Sequence, residues 1–290
     1  MSLYTSLLQK AAHPLSEVQI RKITAVNKNF NAEDIEHYYW PMIELIGRRI
    51  ESKRAAASRD QSFLEDDPQS PFIISISGSV ASGKTTMARM LAALLPELPV
   101  KPQVDIVSTD CFLFPTRILT QRNLMSQKGF PISYDWDAMI TFLKDLHSGK
   151  KEYKLPIYSH ETYDILQDDF LFIENPEIVI VEGLNLLQLN ESCGYIPSDF
   201  IDFSIYIDVS KDLLESWFLK RIASLRHRGK GFYAHLVNLK EEEAQIRADR
   251  IWKTINLPNL ERYIEPTRSR ADMIITKTEA HRIEKVVLRK

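Results

Sequence analysis

The stretch "FIISISGSVASGKTTMARML", residues 72–91, joins an apolar run to a glycine-bounded loop and then to a helix-forming segment. Gly78, Gly83, Lys84 and Thr85 satisfy the pattern G-x-x-x-x-G-K-[ST], in the strand-before, helix-after context where it cradles phosphate. Glycine permits backbone conformations that let successive amides curl around an anion, and the following helix turns its positive end toward it. Residues Gly78, Ser79, Val80, Ala81, Ser82, Gly83, Lys84, Thr85 and Thr86 are therefore read as a nucleotide polyphosphate site. Lys84 supplies charge near the β- and γ-phosphates, and the Thr85 hydroxyl is a ligand for Mg2+.

Outward from this loop, further apolar runs stand at 104–110 ("VDIVSTD"), 177–183 ("EIVIVEG"), 203–209 ("FSIYIDV") and 272–278 ("DMIITKT"). Nearly continuous apolar character, with helical or irregular segments between the runs, predicts a parallel sheet buried on both faces. "SYDWDAMITFLKDLHSG" predicts a helix ending at Gly149, and "KDLLESWFLKRIASLRHRG" one ending at Gly229. Residues 1–70 read as a helical N-terminal extension. A Ser-x-x-Gln capping signal opens "LSEVQIRKITAVN", and Pro41 is expected to bend or divide the amphipathic segment 31–57. The expectation is one α/β unit over 1–290, with a three-layer kinase core over 71–290 and no internal repeat.

A hydrophobic content of 44% supports a sizeable core, while no apolar run approaches the roughly 20 residues of a membrane span. The start "MSLYTSLLQK" has no basic-then-apolar leader, so no membrane partner and a cytoplasmic location are expected. Cys111 and Cys193 have neither metal-ligand spacing nor a disulfide framework, and "NES" at Asn190 is read as an idle glycosylation pattern. A net charge of -2 argues against nucleic acid as a partner.

In open parallel sheets ligands sit beyond the carboxyl ends of the strands. Asp110 and Glu182 end two of the apolar runs, placing a carboxylate to receive a hydroxyl proton and another to organise Mg2+. Each also suits a helix N-cap or a solvated strand end. Arg221 is a candidate lid arginine over the phosphates, although charges at helical spacing commonly form a solvated face. "PIYSHETYD", residues 156–164, gathers Tyr158, His160, Tyr163 and Asp164, a composition suited to a small polar substrate.

With "KGFPISYD", "YSHETYD", "IVEGLNLLQ" and "IWKTINLPNLERYIEPTRSRADMIITK", the chain resembles the prokaryotic type I pantothenate kinases over almost its whole length. These are P-loop kinases related to uridine kinase and phosphoribulokinase. The resemblance implies the P-loop nucleoside triphosphate hydrolase type of fold, and ATP-dependent phosphorylation of pantothenate to 4'-phosphopantothenate, the first step of coenzyme A synthesis. It implies Asp110 as proton acceptor, Lys84 and Arg221 on the transferring phosphoryl, and Tyr158, His160 and Asn256 on pantothenate, to which the composition of the 156–164 segment adds Tyr163 as a substrate-binding candidate. Asn27, Lys277 and His281 fall where the nucleotide base lies. Feedback by coenzyme A is implied through Lys84, Arg89 and His160, and assembly as a homodimer is a further implication. Phe218 stands where the family often has tyrosine, and "RHRGKGFYAHLVNL" is short for the family's lid.

Three other readings compete. A sister kinase acting on uridine or a sugar phosphate would use the same loop, but the "KGFPISYD" and "YSHETYD" segments argue against it. A GTPase switch finds an echo in "MIITKTE" but lacks a D-x-x-G element, and a non-catalytic nucleotide-gated protein leaves Asp110 without a task.

Overall fold

The computed structural model describes residues 4–6, 15–24, 32–60, 70–189, 194–227 and 239–289. Asn27, Asn190, Cys193, Gly229 and most of the 226–239 segment lie outside them, with the expectations that fell there.

A seven-stranded sheet in the order β1-β9-β8-β7-β2-β6-β3 forms the centre. Its middle consists of β2 (Phe72–Gly78), β3 (Val104–Ser108), β6 (Ile178–Gly183), β7 (Phe203–Asp208) and β8 (Met273–Lys277). These five are parallel, and they are the five apolar runs. Two antiparallel strands close one edge: β9 (Ile283–Arg289) on β8, and β1 (Tyr4–Ser6) on β9. Among its described residues the N-terminal extension is helical apart from one short strand, which the polar, three-residue stretch does not announce by period.

Alternate residues of the central strands serve opposite layers. Ile74, Ile76, Ile180 and Ile205 pack with α1 (Glu17–Thr24), α3 (Trp40–Asp60) and the loop helix α4 (Lys84–Leu94). Ile73, Val107 and Val181 face the other way, against α6 (Trp136–His147). Tyr206 and Ile274 pack on α7 (Lys211–His227) and α8 (Glu241–Ile251). Each fully buried aliphatic side chain stabilises this sandwich by about 1.5–3 kcal/mol. The extension is pinned to the sheet by polar contacts too. Lys53 donates to Asp202 at 2.7 Å, and Asp202 also accepts from Ile73 N at 2.8 Å.

Ser16 and Gln19 exchange the hydrogen bonds of a capping box at the start of α1. Pro41 does not divide its helix. The chain runs from a single turn, α2 (Ala32–Asp34), through a widened π turn at Ile35–Tyr39 into α3. Trp40 N donates to Ile35 O, five residues back, which relieves the clash a proline makes with the carbonyl four residues before it. Similar widened turns precede Pro258, at Trp252–Asn256, and Pro266, at Leu260–Ile264. The short helices α5 (Thr116–Gln121) and α9 (Leu257–Asn259) complete the helical layers.

Outside the sheet stands a hairpin of β4 (Glu152–Ser159) and β5 (Asp164–Glu174), whose turn carries His160 and Tyr163. A close approach fixes the active edge of the sheet. A Cβ on Gly183 would lie 1.9 Å from Thr109 Oγ1, so the end of β6 rests directly on the turn that holds Asp110. Gly183→Ala is therefore expected to push that turn aside. A thermal melt should show destabilisation of about 1–3 kcal/mol, and turnover should fall more steeply than stability does.

Candidate active site

The loop between β2 and α4 has the backbone that its glycines predict at the helix entry, where Gly83 takes a left-handed φ of 90°. Lys84 Nζ donates to its own loop at Ser79 O, 2.9 Å away. Burial lowers the Lys84 pKa; the Glu182 and Asp110 carboxylates oppose that shift and the Arg221 guanidinium adds to it. The Ser79 and Ser82 hydroxyls are buried without a hydrogen-bond partner. Buried donors without acceptors beside a desolvated amine fit a polyphosphate anion.

Parallel register brings the carboxylates in. Glu182 pairs with Ile76 on one side and Ser108 on the other, so it sits between the loop strand and the strand leading to Asp110. Glu182 Oε1 accepts from Thr85 Oγ1 at 2.9 Å. Among the described residues no group of three or more His, Cys, Asp and Glu side chains forms a metal cage. One hydroxyl and one carboxylate fit Mg2+ held mainly by water and phosphate oxygens, the ion's usual mode with nucleotides.

Asp110 lies on a 3₁₀ turn, Thr109–Phe112, just past β3. Tyr134, fully enclosed, donates its phenol to Asp110 Oδ1 at 3.4 Å, and burial followed by the Asp110 charge pushes its pKa well up. Lys128 is also buried; it donates to Thr116 Oγ1 at 3.2 Å and to the Tyr163 carbonyl, with its ammonium 4.0 Å from the Tyr163 ring and 5.1 Å from that of Tyr158. Burial lowers its pKa to about 8, against the pull of Asp164 and Asp110.

One cleft of about 200 Å³ collects these groups. Lys84, Thr85, Asp110, Glu182 and Arg221 line it at the loop end; Lys128, Tyr134, Tyr158, His160, Tyr163 and Asn256 line it at the other. Phe218 adds an apolar wall, its ring 5.8 Å from that of Trp252. Asn256 ends the widened turn before Pro258, and its buried Nδ2 has no partner. A larger groove of about 500 Å³ lies behind the Cys111–Pro115 segment, but aromatic and aliphatic residues dominate its walls and no loop residue reaches it.

Other expected positions fall elsewhere. Asp164 accepts from Thr116 N at 2.8 Å and so tethers the hairpin to α5. Arg89 stands exposed on α4 and does not line the cleft. His281 stacks on Trp217 with ring centres 3.7 Å apart, and Lys277 reaches the loop from below at Ser82 O, 3.0 Å away. Lys128 and Tyr134 were not singled out from the sequence. Both lie within "KGFPISYD", and an aromatic and a lysine bracketing a glycine-proline turn were the signal available.

The family model described as "Phosphoribulokinase / Uridine kinase family" matches residues 73–284. A pantothenate kinase of Histophilus somni (strain 2336) is 43% identical over 283 residues, 95% of this chain and 89% of that one. The chain belongs to this kinase family, and within it to the type I pantothenate kinases. A pantothenate kinase of Enterococcus faecalis is 40% identical over 96% of this chain and 92% of its own. In fold alone, a D-glycerate 3-kinase from Cryptococcus neoformans superposes with a TM-score of 0.61 at 16% identity, over 84% of this chain and 98% of that chain.

Tyr134→Phe isolates the phenol beside Asp110. Losing a hydrogen bond worth about 1 kcal/mol should lower kcat roughly fivefold, with the KM for ATP unchanged in steady-state assays.

Proposed function

We propose that the chain transfers the γ-phosphoryl group of ATP to the primary hydroxyl of pantothenate, giving 4'-phosphopantothenate and ADP. The observation that carries this reading is the single cleft in which Asp110 stands between a phosphate loop and an aromatic, polar chamber. The loop amides, Lys84 and Arg221 hold the polyphosphate and meet the charge that develops on the transferring group. The acceptor hydroxyl oxygen bonds to the γ-phosphorus, the bond to the β-phosphate oxygen breaks, and the hydroxyl proton passes to Asp110. Thr85 and Glu182 would hold Mg2+, which neutralises phosphate charge when bound.

At the acceptor end, Tyr158, His160, Tyr163 and Asn256 supply stacking surface and hydrogen bonds. Lys128 adds a cation, which suits an acceptor bearing a carboxylate and leaves a neutral nucleoside without a matching charge. The membership in the pantothenate kinases supports the same choice of acceptor.

A panel of pantothenate, uridine and ribulose 5-phosphate with ATP and Mg2+, followed by ADP release, tests the assignment. Pantothenate should be turned over fastest, and faster turnover of either rival would sink it. In the same assay Asp110→Asn should keep ATP binding while losing roughly 100- to 10,000-fold in turnover, the usual scale for a lost general base.

Coenzyme A is proposed to inhibit by competing with ATP, since its phosphates suit the same loop amides and Lys84, with His160 nearby at the cleft mouth. Arg89 is exposed one turn beyond the loop, outside the cleft, where it can add charge for a bound anion without touching the transferring phosphoryl. Arg89→Ala should therefore raise the coenzyme A concentration needed for half-inhibition far more than it lowers kcat. Equal losses of both would place Arg89 in the catalytic machinery instead.

A further inference from the structure

Lys277 is a buried lysine that lines neither the cleft nor the larger groove described above. The residue is 7% exposed at the end of β8, and Nζ donates to the Ser82 carbonyl at 3.0 Å. No carboxylate pairs with it among the described residues, and the groups facing it are Lys84 on α4 and His281 on the β8–β9 turn. The amine also fills the space that a side chain at Gly83 would need: a Cβ there would lie 2.7 Å from Nζ. Gly83 is thus required for its left-handed φ, and its lack of a side chain also leaves Nζ free to rest against the loop.

Two amines, the half-buried Lys84 and the buried Lys277, therefore approach one loop, the first bonded to Ser79 O and the second to Ser82 O. A loop that binds an anion must keep its N–H groups toward the ligand and its carbonyls away from it, because a carbonyl oxygen aimed at phosphate repels it. Burying an ammonium without a counter-ion is unfavourable, and an arriving polyphosphate removes that penalty. We propose that Lys277 is a positioning residue of the phosphate loop: it holds the Ser82 carbonyl out of the anion cradle and supplies a second, buried cation behind it, rather than reading the nucleotide base. The inference rests on the kinase reading only for the identity of the anion.

Burial, followed by the Lys84 charge, lowers the Lys277 pKa to about 8 in the free chain. Near pH 8.5 the free amine is largely neutral, while a bound anion favours the ammonium, so binding takes up protons. His281 is pushed down by burial and by Lys277, so it stays neutral there.

The test compares the wild-type chain with Lys277→Met, which keeps the length and loses the charge, by equilibrium binding of inorganic tripolyphosphate, ADP and adenosine. Tripolyphosphate and ADP should bind roughly 10- to 100-fold more weakly to the variant, the scale of a lost charge-assisted bond, with adenosine unchanged. A variant that loses adenosine affinity but binds tripolyphosphate like wild type would overturn the assignment in favour of a base contact. Calorimetry of ADP binding to the wild type at pH 8.5, in two buffers of different ionisation enthalpy, needs no variant. Proton uptake is expected, and its absence overturns the proposal even if Lys277→Met does not fold. A wild-type chain that binds neither ATP nor tripolyphosphate removes both readings; equal binding by both chains removes only the role of Lys277.

Discussion

Parallel pairing of β3, β6 and β2 is the constraint on which the site depends. Residue for residue, this register sets Ser108 beside Glu182 and Glu182 beside Ile76, so the three strands finish level with one another. From that common edge the chain leaves in three directions: into the phosphate loop, into the turn of Asp110, and into the segment after Gly183. A slip of one residue in β6 would turn Glu182 to the opposite face and break its bond to Thr85. The apolar sandwich on both faces prevents that slip, because it would also bring Val179 and Val181 out of one core layer into the other. Packing energy far from the chemistry thereby sets the distances within it.

The acceptor side is built differently, from loops and a free-standing hairpin tied down by polar contacts. Asp164 holds the hairpin to the start of α5, Lys128 crosses from its own loop to the Tyr163 carbonyl, and Asn259 donates to Gly129 O at 2.8 Å from the far side. The phosphate-loop end of the cleft thus rests on sheet register, and the other end on tethered loops, the kind of segment on which proteins commonly vary their sites. Lys128 shows the cost of this design. It gives up solvation to reach the cleft, and ring faces together with two oxygens only partly replace the lost water.

The phosphate loop and the five parallel strands were legible in the sequence because both signals are local: a fixed glycine spacing, and apolar runs bounded by polar residues. The hairpin was not, since "PIYSHETYD" spans its turn and β5 alternates weakly, with Gln167, Asp168 and Asp169 exposed in succession. The strand at 283–289 was concealed because its apolar residues fall at 283, 286, 287 and 288, a spacing that follows neither strict alternation nor an unbroken run. Lys128 escaped notice because a lysine in a loop is ordinarily solvated; only the folded chain shows that it is enclosed. Asp164 failed in the other direction, a polar residue within a suggestive cluster whose task is to hold backbone.

Proline illustrates how the same residue can be read correctly in kind and wrongly in consequence. A proline within a helical pattern removes one N–H and crowds one carbonyl, and the common results are a kink or an end. Here Pro41, Pro258 and Pro266 each follow a turn widened to five-residue spacing, in which the residue just before the proline donates five positions back. The extra residue per turn rotates everything upstream by about 100° relative to a regular helix. In the turn at Trp252–Asn256, Trp252 is buried against Phe218, which lines the cleft, and Asn256 at the other end reaches the same cleft with its amide nitrogen unpaired. Hydrogen bonds reaching five residues back bring more than four residues into the turn, so residues four apart stand nearly in line. The widened turn that accommodates the proline thus stacks a core tryptophan and a cleft asparagine one above the other on the Phe218 side.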